Sequence, residues 1–315
     1  MATIAILGAT GHVGKGLAYA LAQGGSHTLR LYARDPDRVL DFLKTWELSD
    51  HDRVVHPMDE FGRHPFDAVV NATGAGDPAR LRTLGAGIFR LTETVDNRIL
   101  DLLTDHPERL YLNISSGAVY GAGFAEPARQ DTIAAVPVND LGPGDAYAMA
   151  KRHAEAKHRA HTAFNIVDLR IFSYFSRFID LEGRFFTVDL ARSLRDAVPL
   201  TTNCGEMDRD YVVPDDLAQM VQCCLTRWTD RDEQVVNDAL DFYSKAPVGK
   251  FELIEAVQRT LPLQVRVEDE TATLATGGAK SRYYSENHRA ADWGYAPRFT
   301  SADGVVSELN ALLNR

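Results

Sequence analysis

The sequence predicts an α/β fold: a doubly wound parallel sheet covered by helices on both faces, with a smaller C-terminal lobe. Three observations predict it. Short apolar runs alternate with helix-like stretches over the first two-thirds of the chain. The runs are short and apolar, as strands buried on both faces should be. A glycine-rich turn follows the first strand directly and opens the first helix.

Taken in order, Thr3-Ile4-Ala5-Ile6-Leu7 reads as the first strand, and a helix runs from about Gly14 to Gln23. Thr28 to Ala33 is the second strand, Val54-Val55 lie in a weaker third, and Ala68 to Ala72 form the fourth. One long helix is expected from about Pro78 to Leu103, then a fifth strand from Leu110 to Ser115. A helix from about Ala146 to Ala160 precedes the sixth strand, Asn165 to Phe172. Beyond it the alternation loosens. Asp215 to Trp228 is an amphipathic helix started by Pro214-Asp215-Asp216, and Val235-Val236 mark a further strand. The expected division is a sheet domain over 1–172, rejoined by 213–238, and a lobe assembled from 173–212 and 239–315.

Composition narrows the function. The chain has 315 residues, 45% hydrophobic and 25% charged, with a net charge of −10. An acidic surface repels a phosphate backbone, so neither nucleic acid nor an anionic membrane is an expected partner. Cys204, Cys223 and Cys224 make neither a disulfide framework nor a metal knuckle. No basic leader precedes the first strand, and no run approaches the ~18 apolar residues of a membrane span. A cytoplasmic protein without a metal site is expected.

Residues 8–14 read Gly8-Ala9-Thr10-Gly11-His12-Val13-Gly14. The first glycine permits a tight turn, the second lets backbone approach a pyrophosphate, and the third lets helix and strand pack closely. The helix N-terminus then presents free N–H groups to phosphate. This context makes the sheet domain a dinucleotide-binding, Rossmann-type domain. At the tip of the second strand stand Arg34 and Asp35. An arginine there accommodates the 2′-phosphate of NADP, while an acid binds the ribose hydroxyls of NAD. Arg34 comes first, so NADP(H) is favoured, with NAD(H) left open by Asp35.

Tyr147-Ala148-Met149-Ala150-Lys151 places a phenol and an ammonium one turn apart on a helix. A free phenol titrates near ~10 and is a poor acid–base at neutral pH; a neighbouring cation stabilises its phenolate. Upstream, Ser115-Ser116-Gly117-Ala118-Val119-Tyr120-Gly121 closes the fifth strand. Ligands of open parallel sheets bind beyond the carboxyl ends of the strands, so Ser116 is expected in the cleft, ready to polarise a carbonyl. Ser116, Tyr147 and Lys151 are the candidate catalytic set.

Together these stretches resemble the extended short-chain dehydrogenase/reductases, specifically the NAD-dependent epimerase/dehydratase family of nucleotide-sugar enzymes. The resemblance rests on GATGHVG (8–14), SSGAVYG (115–121), YAMAK (147–151), LRIF (169–172), RDYVVPDDLA (209–218) and WGYAP (293–297). It implies that Asp59, Asn71, Ala72 and Thr73 lie along the cofactor, that Lys151 also holds its ribose, and that Arg209 contacts a nucleotide diphosphate. A homodimer through the helices near 78–103 and 146–160 is implied likewise. Three departures matter. Gly117-Ala118 stand where the family's dehydratases carry Asp-Glu, no cysteine follows Ser116 closely, and Ser173-Tyr174-Phe175-Ser176-Arg177 replaces the usual Asn-x-Tyr-Gly-Pro. The expected activity is therefore NAD(P)-dependent reduction or dehydrogenation of a nucleotide-diphosphate sugar, with Tyr147 as acid–base. A 4-epimerase with tightly bound NAD and a non-enzymatic NADP(H) sensor of the same fold are the alternatives.

Overall fold

The computed structural model describes residues 1–48, 52–121, 124–136, 138–142, 145–232, 234–268 and 281–314. Its first part runs β1 (Thr3–Leu7), α1 (His12–Gly24), β2 (Thr28–Ala33), α2 (Pro36–Thr45), β3 (Arg53–Pro57), β4 (Ala68–Asn71), α3 (Pro78–Leu84), α4 (Gly87–Asp105) and β5 (Leu110–Ser116). Next come α5 (Asp145–Ala160), β6 (Asn165–Ile171), β7 (Ser173–Tyr174), α6 (Phe186–Arg195), β8 (Leu200–Asn203), β9 (Asp208–Arg209), β10 (Tyr211–Val212) and α7 (Pro214–Thr229). The chain closes with β11 (Asn237–Phe242), β12 (Val248–Gly249), α8 (Lys250–Gln258), β13 (Val265–Glu268), β14 (Arg282–Tyr283) and α9 (Ser301–Leu313).

Seven strands form one parallel sheet in the order β11-β6-β5-β4-β1-β2-β3. Ile4, Ala5, Ile6 and Leu7 are all 0% exposed, so both faces of β1 are covered. Ile4 and Ile6 point into a core shared with Leu17 and Leu21 of α1 and Leu217 and Val221 of α7. Ala5 and Leu7 point into the opposite core, with Ile99 and Leu103 of α4. Strand order reverses between β1 and β4, which opens the crevice where ligands of such sheets bind. A separate core of Phe175, Leu190, Leu200, Tyr211, Leu253 and Val305 holds the second lobe together.

Several expectations needed correction. The long helix of 78–103 is two helices, because Gly85 adopts φ 48° and its N–H caps the Leu81 carbonyl. The last strand begins at Asn237 rather than Val235 and runs to Phe242, so the sheet keeps four residues beyond 238. Helix α2 was not anticipated, although Asp35 caps it and Pro36 opens it. Among the described residues, no helix is long and apolar enough to cross a membrane.

Between the sheet and helices α4 and α5 lies a buried charge cluster. His158, fully buried, sets Nε2 2.7 Å from Asp96 and Nδ1 2.8 Å from Asp168. Burial alone would discharge the imidazole, but the two carboxylates together outweigh it and lift its pKa to about 9. Burial likewise opposes the Asp96 charge, yet His158 and Lys157 hold its pKa down to about 2. The consequence for stability has a definite sign. The His158 contribution is complete below its ordinary value of 6.5 and disappears as pH rises through about 9. The Asp96 contribution is complete above 3.8 and disappears as pH falls through about 2. Thermal melts are expected to lose on the order of 2–3 kcal/mol between neutral pH and pH 10, a loss that His158→Gln removes.

Candidate active site at the carboxyl edge of the sheet

The glycine turn folds as its spacing demands. Gly8 has φ 84°, and a Cβ there would sit 2.8 Å from the Ala72 carbonyl oxygen. A Cβ on Gly14 would sit 2.3 Å from the Gly8 oxygen. The Gly8 and Ala9 N–H groups both donate to the Tyr32 carbonyl, at 3.1 and 3.2 Å, and Gly11 N–H donates to Gly8 O at 2.9 Å. The turn is thus pinned to the ends of β2 and β4. Gly11 precedes α1 as its cap residue with no side-chain cap bond, and Thr10 and Val13 are half-buried beside it.

His12 faces a partner that sequence reasoning did not supply. Its ring meets Tyr174 edge-on at 4.9 Å, and burial lowers its pKa to about 4, so the imidazole is neutral. The Tyr174 hydroxyl occupies the space a Cβ on Gly16 would need, 2.0 Å away. This accounts for the unusual 173–177 segment. Tyr174 packs on α1 beside the glycine turn, Phe175 enters the lobe core, and Arg177 forks onto Glu308 of α9 at 2.7 and 3.0 Å. Lobe and glycine turn are thereby knitted together.

At the tip of β2, Arg34 is exposed, while Asp35 accepts the Arg38 N–H at 3.4 Å as the cap of α2. Asp59 is exposed on the short turn after β3. Asn71 is engaged within the protein: its Oδ1 accepts from Thr73 N and Oγ1 at 3.1 and 2.5 Å, and its Nδ2 donates to Tyr111. Ala72 and Thr73 stay partly exposed at the crevice edge.

Ser116 ends β5 at 8% exposure. Its Oγ accepts the Ala118 N–H at 3.2 Å and lies 3.1 Å from the Tyr283 hydroxyl. Its neighbour Ser115 instead donates to the buried Glu155. On α5, Lys151 is 6% exposed and its Nζ donates to Ile114 O at 2.8 Å, which ties the helix to the strand that ends in Ser116. Tyr147, one turn earlier, is half-buried against Ala75, Ile88 and Ala150.

Tyr283 was missed, because it reaches Ser116 across 167 residues of sequence. Strand β14 pairs with β9 in a register that sets Tyr283 beside Arg209. Burial pushes the Tyr283 phenol above its ordinary range, the Ser116 bond offsets part of this, and charge at Tyr147 would push it higher still. Arg209 places its guanidinium 6.0 Å from the Tyr283 ring, and burial lowers its pKa. Phe124 and Phe172 complete an aromatic wall over the serine. A Cβ on Gly117 would lie 2.4 Å from the Phe172 ring, so any larger residue there would require that ring to move.

This is a Rossmann-type α/β fold in which Ser116 ends β5 and Lys151 ties the helix bearing Tyr147 to that strand. The NAD dependent epimerase/dehydratase family profile matches residues 4–237, and the chain belongs to that family, an enzyme of the short-chain dehydrogenase/reductase type. No curated protein matches it in sequence. It is similar in structure to UDP-glucose-4-epimerase from Stenotrophomonas maltophila with bound NAD and formylated UDP-arabinopyranose (TM-score 0.80, 16% identity, covering 100% of this chain and 98% of that one). It is similar also to UDP-glucuronic acid 4-epimerase from Bacillus cereus in complex with NAD (TM-score 0.75, 16%, 99% and 99%). A third is dTDP-glucose 4,6-dehydratase from Bacillus anthracis in complex with NAD (0.74, 13%, 98% and 96%). At these identities the likeness is one of fold.

Proposed function

We propose that this enzyme passes hydride between a nicotinamide cofactor and a nucleotide-diphosphate sugar, as a 4-ketoreductase or dehydrogenase. The observation that carries the reading is the Lys151 anchor on Ile114 O, which holds the Tyr147 helix beside the strand end bearing Ser116. The Gly8–Gly14 turn would hold the pyrophosphate, with Asp59, Ala72 and Thr73 along the adenosine half. When bound, the nicotinamide supplies or accepts the hydride. Tyr147 moves the sugar hydroxyl proton, the Lys151 ammonium stabilises the phenolate and binds the ribose, and Ser116 polarises the carbonyl. Arg209 would meet the diphosphate. The glycine at 117, held small by Phe172, supports a chemistry without the acidic pair of a dehydratase. A homodimer through α4 and α5, working in the cytoplasm, completes the proposal.

The exposed Arg34 and the capping duty of Asp35 support NADP(H). The test is turnover of a nucleotide-diphosphate 4-ketosugar with NADPH, and of UDP- and dTDP-sugars with NADP+, each with and without the added cofactor. Turnover should require the added cofactor, and Arg34→Ala should shift preference toward the non-phosphorylated cofactor by about tenfold, the worth of one charge-assisted contact. Turnover by a retained NAD without any added cofactor would instead make the enzyme a 4-epimerase.

A further inference from the structure

The charge cluster behind the sheet does not end at His158. The Asp96 Oδ1 that meets His158 also accepts the Tyr111 hydroxyl at 2.8 Å. Tyr111 in turn accepts from Asn71 Nδ2 at 3.1 Å. Asn71 Oδ1 takes both the N–H and the hydroxyl of Thr73, so this one side chain sets the direction of the chain leaving β4. At the other end Asp168 Oδ1 accepts from Asn113 at 2.7 Å and Asp168 Oδ2 from Arg159 at 2.9 Å. The path from α5 to Thr73 is continuous, and Asn71, Asp96, Asn113, His158 and Asp168 are all buried.

Buried charges are weak evidence for stability, since apolar replacements of equal volume often do as well. What a hydrogen-bonded buried network can specify is orientation. We propose that Asp96 and His158 are positioning residues for the cofactor: through Tyr111 and Asn71 they fix the Thr73 turn at the crevice edge. The proposal rests on the cofactor lying in that crevice. A tyrosine hydroxyl between two helix-borne charges and a strand-end amide transmits geometry without touching the ligand.

The groups facing His158 are Asp96 from α4, Tyr111 from β5 and Asp168 from β6, and Lys157 and Arg159 of α5 meet the far oxygens of those two carboxylates. While the imidazole is protonated it holds the two carboxylates together. Its discharge near pH 9 leaves a single ring N–H, so one of the two carboxylates loses its donor and the anchor on Asp96 and Asp168 weakens.

The experiment is titration of the whole protein with NAD and with NADP, followed by intrinsic fluorescence, with the melting temperature measured in parallel. Tyr111→Phe keeps the ring and removes the link. It should weaken cofactor binding roughly tenfold, the worth of a hydrogen bond to charged groups, with a small change in melting temperature. The native Kd should rise as pH passes through about 9, and His158→Gln should flatten that rise. A Tyr111→Phe protein that binds the cofactor within twofold of native overturns the proposal, as does a native Kd that is flat in pH. Absence of any NAD or NADP binding by the native protein overturns the cofactor reading as well.

Discussion

Replacing Tyr147 by Phe is expected to lower kcat by about 10²–10⁴-fold while leaving cofactor affinity within about twofold, the range set by loss of a positioned acid–base. The substitution removes one oxygen and keeps the ring. The ring's packing against Ala75, Ile88 and Ala150 therefore survives, and the helix stays tied to β5 through Lys151. Steady-state turnover of a nucleotide sugar at saturating cofactor, with a separate cofactor titration, separates the two effects. Turnover equal to native would remove Tyr147 from the chemistry. A joint loss of turnover and cofactor binding would point to a collapsed site instead.

The second large effect is expected at Gly14. A methyl group there would lie 2.3 Å from the Gly8 carbonyl oxygen and 2.9 Å from its carbon. Both obstacles are backbone, so no rotamer relieves the clash. Gly8 cannot retreat easily, because its own N–H is bonded to Tyr32 and its Cα faces the Ala72 carbonyl. Gly14→Ala should destabilise the fold by about 1–3 kcal/mol, as overpacking commonly does. It should weaken cofactor binding by roughly 100-fold, since about 1.4 kcal/mol corresponds to each factor of ten. Gly24, with open space around it, is the internal control: Gly24→Ala should leave binding unchanged. Equal affinity for native and Gly14→Ala would exclude this turn as the pyrophosphate cradle.

What was legible in the sequence was local. Glycines three apart, a serine at a strand end, and a tyrosine and lysine one turn apart are spacings within one element, and each carries its own physical reason. The parallel sheet follows from the same kind of signal, since strands buried on both faces read as near-continuous apolar runs, as β1 and β4 do. Tyr283 was illegible because its contact with Ser116 depends on the β14–β9 register, not on any pattern near either residue. The partner of Asn71 was illegible for a similar reason: Tyr111 lies 40 residues away on the neighbouring strand. Tyr174 was seen only as a departure from a family pattern. Its meaning required the packing of its ring on His12 and Gly16. Helix α2, by contrast, carried its aspartate cap and its proline openly and was simply overlooked.

The central claim is that the glycine turn, Ser116, Tyr147 and Lys151 serve one nicotinamide ring. A crystal structure of the protein with NAD or NADP and a nucleotide sugar measures this directly. The account predicts the pyrophosphate over the Gly8–Gly14 turn, Lys151 Nζ on the nicotinamide ribose, and the Tyr147 and Ser116 oxygens both within about 2.6–3.2 Å of one sugar oxygen. A cofactor bound elsewhere, or a Tyr147 hydroxyl turned away from the nicotinamide, would contradict it.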